Sequence, residues 1–445
     1  MSIPVFTGVA AGRERIQKQR ALGDKQVAPA VLERLHNLFG EALTPDEAVA
    51  RIIADVRGRG DSAILDWTRQ LDGVNLAKTA VGADEIETAY EETPAAVREA
   101  LALAAGRIRA FHEKHKPRSW LEWDKETALG QRITPLARVG VYVPGGSAPY
   151  PSSLLMAAIP AQVAGVNEVT IATPPQRDGH VAPVILAAAR VAGLSHIFAM
   201  GGAQGIAALA FGTASVPRVD KIVGPGGLFV TLAKRQVFGA VGIDGLYGPT
   251  ETLLLADDSA NPAWVAADLL AQAEHDELAT SLLITPSRAL ADFVANEIER
   301  QVAELKRRTI IERSLQGQGA IIVVDDLAEA LELANLYAPE HLCLLVREPW
   351  NWLGRVENAG GVFIGEWTNE ALGDYVIGPS HVMPTAGTAR FSSALNVNDF
   401  CKITSLFNLS AAEAKALGPS AAALADAEGL TAHANAIRQR MEGKK

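Results

Sequence analysis

The residues with the clearest chemical potential lie in the stretch 248–276, where a polar pair ends a predicted helix. Asn261 before Pro262 is the pattern of an N-cap followed by proline in the first turn, and apolar residues then recur at helical spacing. Gln272 and His275 are three positions apart, so both side chains can point to one place. An amide oxygen and a neutral imidazole are two possible ligands of a metal ion. Such a pair by itself is more often a solvated polar face.

Other acids and imidazoles stand at predicted element boundaries further along the chain. They are Glu340 and His341 at a helix-to-strand junction, Asp374 and His381 on either side of a loop, and Glu428 and His433 in the C-terminal tail. Carboxylates and imidazoles move protons and bind metal ions, so each pair could contribute to a catalytic site. Taken singly, each also has a structural explanation as an exposed pair, a turn or cap residue, or a surface histidine. The residues alone leave both interpretations open.

Strands, glycine turns and helices alternate regularly around these residues. The alternation starts at Leu136 and begins again at Gly248, which is typical of βαβ units and parallel sheets. Ligands of such sheets bind at the carboxyl ends of the strands, where Tyr142 and Gln204 lie, although Tyr142 could equally be a half-buried strand aromatic. None of the turns is the strict dinucleotide-binding fingerprint. Three glycine turns in succession, the first containing Gly146, nevertheless favour a nucleotide site.

These patterns predict an α/β protein with two Rossmann-like parallel-sheet α/β/α domains, a helical N-terminal region and a helical C-terminal tail. The predicted boundaries are 1–128 for the N-terminal helical region, 129–247 for the first Rossmann-like domain, 248–388 for the second, and 389–445 for the tail. The N-terminal region contains two amphipathic helical patterns, 46–71 and 83–115, with a stop and restart at Gly60. We predict that His112 and His115 lie on the surface.

Composition restricts the class of protein. The 445 residues carry a net charge of -10 without a cluster of Lys or Arg, which argues against nucleic acid and anionic membrane surfaces as partners. Two cysteines, Cys343 and Cys401, exclude a disulfide framework and suit a reducing compartment. There is no secretory signal pattern and no apolar stretch of about 18 residues. We therefore predict a soluble cytoplasmic protein, with Cys343 as a small core residue near the site.

Seven segments, in this order, resemble the histidinol dehydrogenase family. They are VGVYVPGGSAPYPSSLLM (139–156), GGAQGIAALAFGT (201–213), VDKIVGPG (219–226), LLAQAEHD (269–276), YAPEHL (337–342), LGDYVIGPSHVMPT (372–385) and EGLTAH (428–433). Any one of them would be a weak match, but the ordered set is highly specific. The likeness extends from roughly Gly60 to the C-terminus and so covers most of the chain.

The resemblance implies a homodimeric enzyme of histidine biosynthesis that oxidises L-histidinol to L-histidine through L-histidinaldehyde. Two hydride transfers to NAD are implied, with one Zn²⁺ per subunit. The implied zinc ligands are Gln272, His275, Asp374 and His433, and the implied acid/base pair is Glu340 and His341. The implied substrate contacts are Thr250, Gln272, His275, His341, Asp374, Glu428 and His433, and the implied cofactor contacts are Tyr142, Gln204 and Gly227. The family's C-terminal arm reaches into the partner's site, so Glu428 and His433 would come from the other subunit.

The residue types suit this chemistry. Nitrogen and oxygen ligands keep Zn²⁺ a Lewis acid with open positions, which can hold the imidazole and amine of the substrate. His341 would accept the hydroxyl proton as hydride leaves, and Glu340 would activate the water that adds to the aldehyde. Glu428 would face the substrate's ammonium group. We expect His381 to lie beside the site and to support it.

Three positions depart from the family pattern. Gly227 stands where the family usually has an asparagine that contacts the cofactor, Thr250 where it has serine, and Ser380 where it has asparagine. Two alternatives therefore stand beside histidinol dehydrogenase. One is an enzyme with the same zinc and NAD chemistry on another small polar alcohol, which Glu428 disfavours because it suits a cationic amine. The other is a binding or regulatory protein without catalysis, which the complete set of proposed ligands and acid/base residues disfavours.

Overall fold

The structure is a computed structural model that describes residues 3–20, 28–145 and 148–442. It divides into two compact units. The first comprises Met1–His115 and Leu136–Phe400, and the second comprises Lys116–Pro135 and Cys401–Lys445. Gly146, in the first predicted glycine turn, lies outside the described residues. The domain boundaries taken from sequence stay a prediction.

The N-terminal region is mainly helical, as predicted. Its elements are β1 (Val5–Thr7), α1 (Val9–Arg20), α2 (Pro29–Phe39), α3 (Pro45–Arg59), α4 (Asp61–Asp72), α5 (Ala83–Glu92) and α6 (Ala95–Glu113). Helix α3 begins with a capping box, in which Thr44 and Glu47 each accept a hydrogen bond from the other's backbone N–H. The stop predicted at Gly60 is confirmed, because this residue separates α3 from α4 with φ 58. The pattern 83–115 forms two helices, since Pro94 interrupts it.

His112 is buried, and the prediction that it lies on the surface is wrong. It continues the buried stripe of α6 that also contains Leu101, Ala104 and Ile108. Its Nδ1 lies 3.4 Å from Nε2 of His115, and its own Nε2 has no hydrogen-bond partner. Burial, and then the nearby His115, lowers the pKa of His112 from 6.5 to about 4.

The low pKa of His112 predicts a loss of stability in mild acid. Between pH 6.5 and about 4 the unfolded chain binds a proton at His112 and the native chain does not, so the free energy of unfolding falls as the pH falls. The limiting loss is about 3 kcal/mol. Urea unfolding at pH 7.5 and pH 5 should show a smaller pH dependence in His112→Leu than in the wild type. His180→Leu, which alters an exposed histidine, is the control, and an unchanged pH dependence in His112→Leu would contradict the prediction.

Residues 116–135 contribute β2 (Trp120–Asp124) and β3 (Thr127–Pro135) to the second unit. The first sheet follows, and its described strands are all parallel, in the order β6-β5-β4-β7-β8. Its elements are β4 (Arg138–Tyr142), α7 (Pro151–Ala164), β5 (Glu168–Thr173), α8 (Pro183–Ala192), β6 (Ile197–Ala199), α9 (Gly202–Phe211), β7 (Lys221–Val223), α10 (Leu228–Val237) and β8 (Gly242–Ile243). This confirms the predicted α/β class for the first repeat.

The second sheet is also parallel, with its described strands in the order β1-β11-β10-β9-β12-β13. Its other elements are β9 (Glu251–Ala256), α11 (Pro262–Ala273), β10 (Thr280–Thr285), α12 (Arg288–Val302), α13 (Arg308–Gly317), β11 (Ala320–Val323), α14 (Leu327–Tyr337), β12 (His341–Leu345), α15 (Pro349–Leu353), β13 (Gly361–Ile364) and α16 (Glu370–Tyr375). Strands β10, β11 and β12 are buried along their whole length, as expected for a parallel sheet covered on both faces.

The N-terminal residues were not predicted to join this sheet. Strand β1 pairs in parallel with β11 through Val5 and Ile321, and so forms its edge. A strand of three residues is too short to show a period of two in the sequence, and its formation depends on a partner far along the chain.

The second unit contains an antiparallel sheet in the order β14-β3-β2 and two helices. Its C-terminal elements are β14 (Cys401–Asn408), α17 (Ala411–Ala427) and α18 (Thr431–Met441). The tail is therefore not wholly helical, because β14 pairs with β3 in register Ile403 to Ile133. Large apolar side chains of this sheet are exposed, among them Trp123, Ile403 and Phe407. Among the described residues, no helix combines the length and the apolar character that a membrane span requires.

Candidate active site

The candidate catalytic residues gather where strands of the second sheet begin. Thr250 immediately precedes β9, and His341 is the first residue of β12, which lies beside β9. Gln272 lies in the last turn of α11, and His275 lies in the segment between α11 and β10. Parallel strands start at the same edge of a sheet, so these residues are brought together although they are distant in the chain.

Glu340 is held in the interior beside this edge. Helix α14 ends at Ala338, which is left-handed with φ 51, and the chain then turns into β12. The Glu340 Oε2 atom accepts hydrogen bonds from Thr250 Oγ1 (2.6 Å) and from the Glu251 N–H (3.0 Å). Burial raises the pKa of Glu340 to about 7 and outweighs the lowering by His341 and these two hydrogen bonds. Glu340 can therefore exchange a proton near neutral pH.

His341 is buried, and its hydrogen bonds determine which nitrogen is free. Its Nδ1 lies 3.2 Å from the backbone carbonyl oxygen of Glu251. A carbonyl oxygen only accepts, so the contact assigns the proton of the neutral ring to Nδ1 and leaves a lone pair on Nε2. The Nε2 atom is buried and has no hydrogen-bond partner. His341 therefore presents an unused proton acceptor, with the Glu340 and Glu370 carboxyls 3.8 and 3.7 Å from its Nδ1.

Gln272 is fully buried and is oriented by Thr250. The Gln272 Nε2 atom donates to Thr250 Oγ1 (3.1 Å), and that hydroxyl donates onward to Glu340. This orientation leaves Gln272 Oε1 buried without a partner. A buried amide oxygen without a protein partner is a group that a metal ion could satisfy, so this orientation of Gln272 suits a metal ligand.

His275 lies in the same region but beyond the helix that was predicted to carry it. Helix α11 ends at Ala273, and the His275 N–H bonds to the Gln272 carbonyl (3.3 Å). The ring is open to solvent, yet desolvation by the surrounding protein lowers its pKa, against a smaller raising effect of Asp374. Exposure combined with desolvation is typical of a side chain that lines a cleft.

Asp374 and His381 form the neighbouring wall. Asp374 lies on α16, whose start is capped by Asn369. His381 is held between Ser153 Oγ (2.8 Å from Nε2) and the Asp374 carbonyl (3.0 Å from Nδ1), and its Nδ1 is 3.7 Å from the Asp374 carboxylate. Burial lowers the pKa of His381. The structure thus places His381 directly against Asp374, and its role in supporting the site stays a prediction.

The donor set of the first unit fits part of a metal site. Gln272, His275 and Asp374 offer an amide oxygen, an imidazole and a carboxylate, and the unpartnered Gln272 oxygen is the observation that fits a metal ligand. Within the described residues, no group of three or more His, Cys, Asp and Glu side chains is arranged to hold a metal ion. His433 and Glu428, the other predicted contributors, belong to the second unit and are exposed there.

The candidate cofactor residues lie at the carboxyl ends of strands in the first sheet. Tyr142 ends β4 and is buried, and its hydroxyl accepts from the Gly202 N–H (3.2 Å). Burial raises the pKa of Tyr142 to about 12. Gln204 is completely buried, and neither polar atom of its amide has a partner. Gly227 is the N-cap of α10, where an added Cβ would meet nothing within 4 Å.

Sequence reasoning missed Glu370. This carboxyl is buried and lies 3.7 Å from His341, and burial raises its pKa well above the ordinary value, with a further raising effect of Asp374. A signal was present, because Asn369 is an N-cap and Glu370 stands four positions before Asp374, on the same face of a short helix. Cys343 is buried two residues beyond His341, which confirms the core position predicted for it.

Comparisons with known proteins agree with one another. Residues 41–441 match the family described as histidinol dehydrogenase. A histidinol dehydrogenase of Deinococcus radiodurans is 54% identical over 427 residues, which are 95% of this chain and 97% of that protein. One from Pseudomonas aeruginosa is 50% identical over 417 residues, which are 92% of this chain and 94% of the relative. The crystal structure of histidinol dehydrogenase from Elizabethkingia anophelis aligns with a TM-score of 0.90 at 32% identity, covering 99% of this chain and 98% of that one.

Proposed function

We propose, on the premise that this chain belongs to the histidinol dehydrogenase family, that it oxidises L-histidinol to L-histidine through L-histidinaldehyde with NAD as the oxidant. The observation that carries the proposal is the pair formed by His341 and Glu340. Both side chains are buried, one presents a bare ring nitrogen, and the other has a pKa of about 7. A dehydrogenase that acts on an alcohol and then on a hydrated aldehyde needs such a pair of proton acceptors.

In the first oxidation, His341 is the base. The hydroxyl proton of the alcohol moves to Nε2 as the adjacent C–H bond breaks and two electrons leave with the hydride. The Glu251 carbonyl holds the Nδ1–H, so the ring keeps its orientation and can share the positive charge it gains. NAD supplies the hydride acceptor.

In the second oxidation, Glu340 is the base for water. A proton moves from the water to the Glu340 carboxylate as the water oxygen bonds to the aldehyde carbon, and the anion of the hydrate that forms loses hydride to a second NAD and becomes the carboxylic acid. Thr250 Oγ1 and the Glu251 N–H hold Glu340 Oε2, which fixes the carboxyl at the edge of the site. A pKa of about 7 makes the carboxylate basic enough to accept this proton.

The proposed zinc ligands are Gln272, His275 and Asp374 together with His433. Zn²⁺ bound there would act as a Lewis acid that anchors the substrate's amine and imidazole. Thr250 orients the proposed ligand Gln272. Its hydroxyl accepts a hydrogen bond from the Gln272 amide nitrogen, which leaves Oε1 free. The threonine that departs from the family pattern thus keeps the hydroxyl that the site uses.

We propose a homodimer in which Glu428 and His433 complete the partner's site. The support is that the described residues contain no group of three or more His, Cys, Asp and Glu side chains arranged to hold a metal ion, and that the sheet of the second unit exposes Trp123, Ile403 and Phe407. Exposed apolar residues on a three-stranded sheet are typical of an interface. Co-refolding His341→Ala with His433→Ala tests this, because shared sites would restore about a quarter of the wild-type activity by random pairing. Recovery of no activity would argue against shared sites.

We also propose a cytoplasmic location, because both cysteines are free and one is buried in the core.

The proposed nicotinamide site comprises Tyr142, Gln204 and Gly227. The two unpartnered amide atoms of Gln204 support it, since a buried amide without partners favours a ligand that supplies them.

Gly227→Asn is expected to tighten cofactor binding. The backbone at Gly227 has φ -68 and ψ -178, which suits any residue, and a side chain there enters open space. Asparagine would supply the amide usual in the family and would cap α10, which adds only about 0.3 kcal/mol of stability over glycine. NADH fluorescence titration should show a Kd lower by about threefold. Gly193→Asn, at a helix end remote from this turn, is the control, and an equal change in both variants would contradict the prediction.

The direct test of the proposed function is the yield of NADH per L-histidinol with purified, zinc-loaded protein and excess NAD. Two NADH per histidinol would establish both oxidations. A zinc-loaded protein that produced no NADH from L-histidinol, but did so from another small polar alcohol, would favour the alternative substrate. A protein that bound zinc and oxidised no alcohol would favour a non-catalytic function.

A further inference from the structure

A buried ion pair lies behind the glycine turn that follows β7. Lys234 on α10 pairs with Asp244, which follows β8, and their side chains are 2% and 1% exposed. Both residues bind the backbone of Gly224. The Asp244 Oδ2 atom accepts from the Gly224 N–H (2.7 Å), and Lys234 Nζ donates to the Gly224 carbonyl (3.0 Å). The ion pair therefore binds both the backbone N–H and the backbone carbonyl of Gly224.

Gly224 is the point where this turn approaches β4 most closely. Its φ is 111, and a Cβ built on it would lie 2.1 Å from the Tyr142 carbonyl oxygen. The position therefore requires glycine. Gly227, at the other end of the same turn, is the proposed cofactor contact and begins α10. Holding Gly224 therefore sets the distance between Tyr142 and the start of that helix.

The same cluster extends to the segment that carries Thr250. Lys234 Nζ lies 4.9 Å from the ring centroid of Tyr247, and burial followed by the Asp244 carboxylate raises the pKa of Tyr247. Thr231 Oγ1 reaches both the Tyr247 carbonyl (3.0 Å) and the Gly226 carbonyl (3.3 Å). The cofactor turn and the chain leading to Thr250 are therefore joined by side chains of one helix.

That chain continues directly to the acid/base pair. The Gly248 N–H donates to Thr385 Oγ1 (2.7 Å), and two residues later Thr250 donates to Glu340. Side-chain contacts thus connect Gly224 to Tyr247, the backbone 247–250 continues to Thr250, and the Thr250 hydroxyl bonds to Glu340.

Burial of the pair needs an explanation other than stability. A buried ion pair gives little or no net stabilisation, because removing two charges from water offsets their attraction. Hydrogen bonds from uncharged groups would satisfy the backbone N–H and carbonyl of a turn without the cost of removing two charges from water. Here both charges are directed at the two backbone groups of the residue that fixes the turn.

We propose that Lys234 and Asp244 are positioning residues that hold the turn 224–227 for NAD and tie it to the Thr250–Glu340 segment. The inference rests on the proposed function, because it takes this turn to be part of the cofactor site. The pair touches neither substrate nor the reacting atoms, so its removal should act on cofactor binding first.

The test is the double variant Lys234→Met/Asp244→Asn, which removes both charges and leaves no lone buried charge. We expect the KM for NAD and the Kd for NADH to rise by about tenfold, with the KM for L-histidinol and the bound zinc unchanged within about twofold. The control is Lys221→Met/Asp399→Asn, which removes a less buried pair at the start of β7. The control should lose comparable thermal stability and keep its KM for NAD.

The outcomes separate the two proposals. A wild-type protein that neither binds NADH nor reduces NAD would refute the proposed function. A wild-type protein that does both, with a folded double variant whose NADH affinity matches the control's, would refute the positioning role alone. If the double variant does not fold, Thr231→Val decides, because it removes only the hydroxyl that joins Gly226 to Tyr247. We then expect NADH affinity to fall about threefold, and an unchanged affinity would overturn the inference.

Discussion

Replacing His341 with alanine is expected to lower kcat for L-histidinol oxidation by about 10²- to 10⁴-fold, the usual contribution of a positioned general base. The variant loses the bare Nε2 atom, which has no other partner in the structure. The KM for NAD should change little, since the proposed cofactor residues lie on or beside the strands of the other sheet.

Initial rates of NADH formation measure this effect. Zinc content and thermal stability should be determined alongside, so that loss of the base can be separated from loss of structure. His180→Ala is the matched control, because His180 is an exposed histidine whose ring pairs with Glu85. A His341→Ala enzyme with more than about a tenth of the wild-type kcat would remove His341 from the catalytic residues.

Glu340→Gln is expected to stop the reaction at the aldehyde. The amide keeps the size of the carboxyl, and its oxygen can still accept from Thr250 and from the Glu251 N–H. It cannot take a proton from water, so the second oxidation should slow by about 10²- to 10⁴-fold while the first continues. The yield of NADH per L-histidinol should therefore fall from two toward one. Retention of two NADH at the wild-type rate would assign the second base elsewhere.

The same residue predicts the pH dependence of the second step. Burial raises the pKa of Glu340 from 4.5 to about 7, so the carboxyl is protonated and inactive as a base below that pH. The rate of L-histidinaldehyde oxidation should therefore rise as the pH passes about 7 and level off above it. Because the native pKa exceeds the unfolded one, this group also makes the free energy of unfolding fall as the pH rises from 4.5 to 7.

Asp268 offers a matched control for that profile. Burial also raises its pKa to about 7, but it lies on α11, and its electrostatic effect falls on Cys343 and Glu370 rather than on Glu340. Asp268→Asn should keep the rise in rate near pH 7, whereas Glu340→Gln should abolish it. A profile that Glu340→Gln leaves unchanged would assign the titration to another group.

Much of the fold follows from local patterns in the sequence. The parallel sheets were predictable because apolar runs such as Leu253–Ala256 are separated by glycine turns and amphipathic helices, and strands covered on both faces need such runs. The start of α11 was predictable for the same reason, since Asn261 and Pro262 act within one turn. His112 could also have been placed in the core, because it continues the apolar stripe of α6.

The same distinction between local patterns and distant contacts applies to the candidate site. The sequence alone determined which residue types were available, where they lay relative to helix and strand ends, and which family they resemble. It did not determine that Thr250 would connect Gln272 to Glu340, because that contact needs β9 to lie beside β12, about ninety residues away.

Only the tertiary structure determined which polar atoms are buried away from solvent. The raised pKa of Glu340, the bare Nε2 of His341 and the burial of Glu370 all arise from the packing of strands and loops that are distant in the chain. The edge strand β1 and the tail strand β14 were missed for a related reason, since each forms only on a distant partner. Helix and turn signals act over a few residues, whereas desolvation depends on everything that surrounds an atom in space.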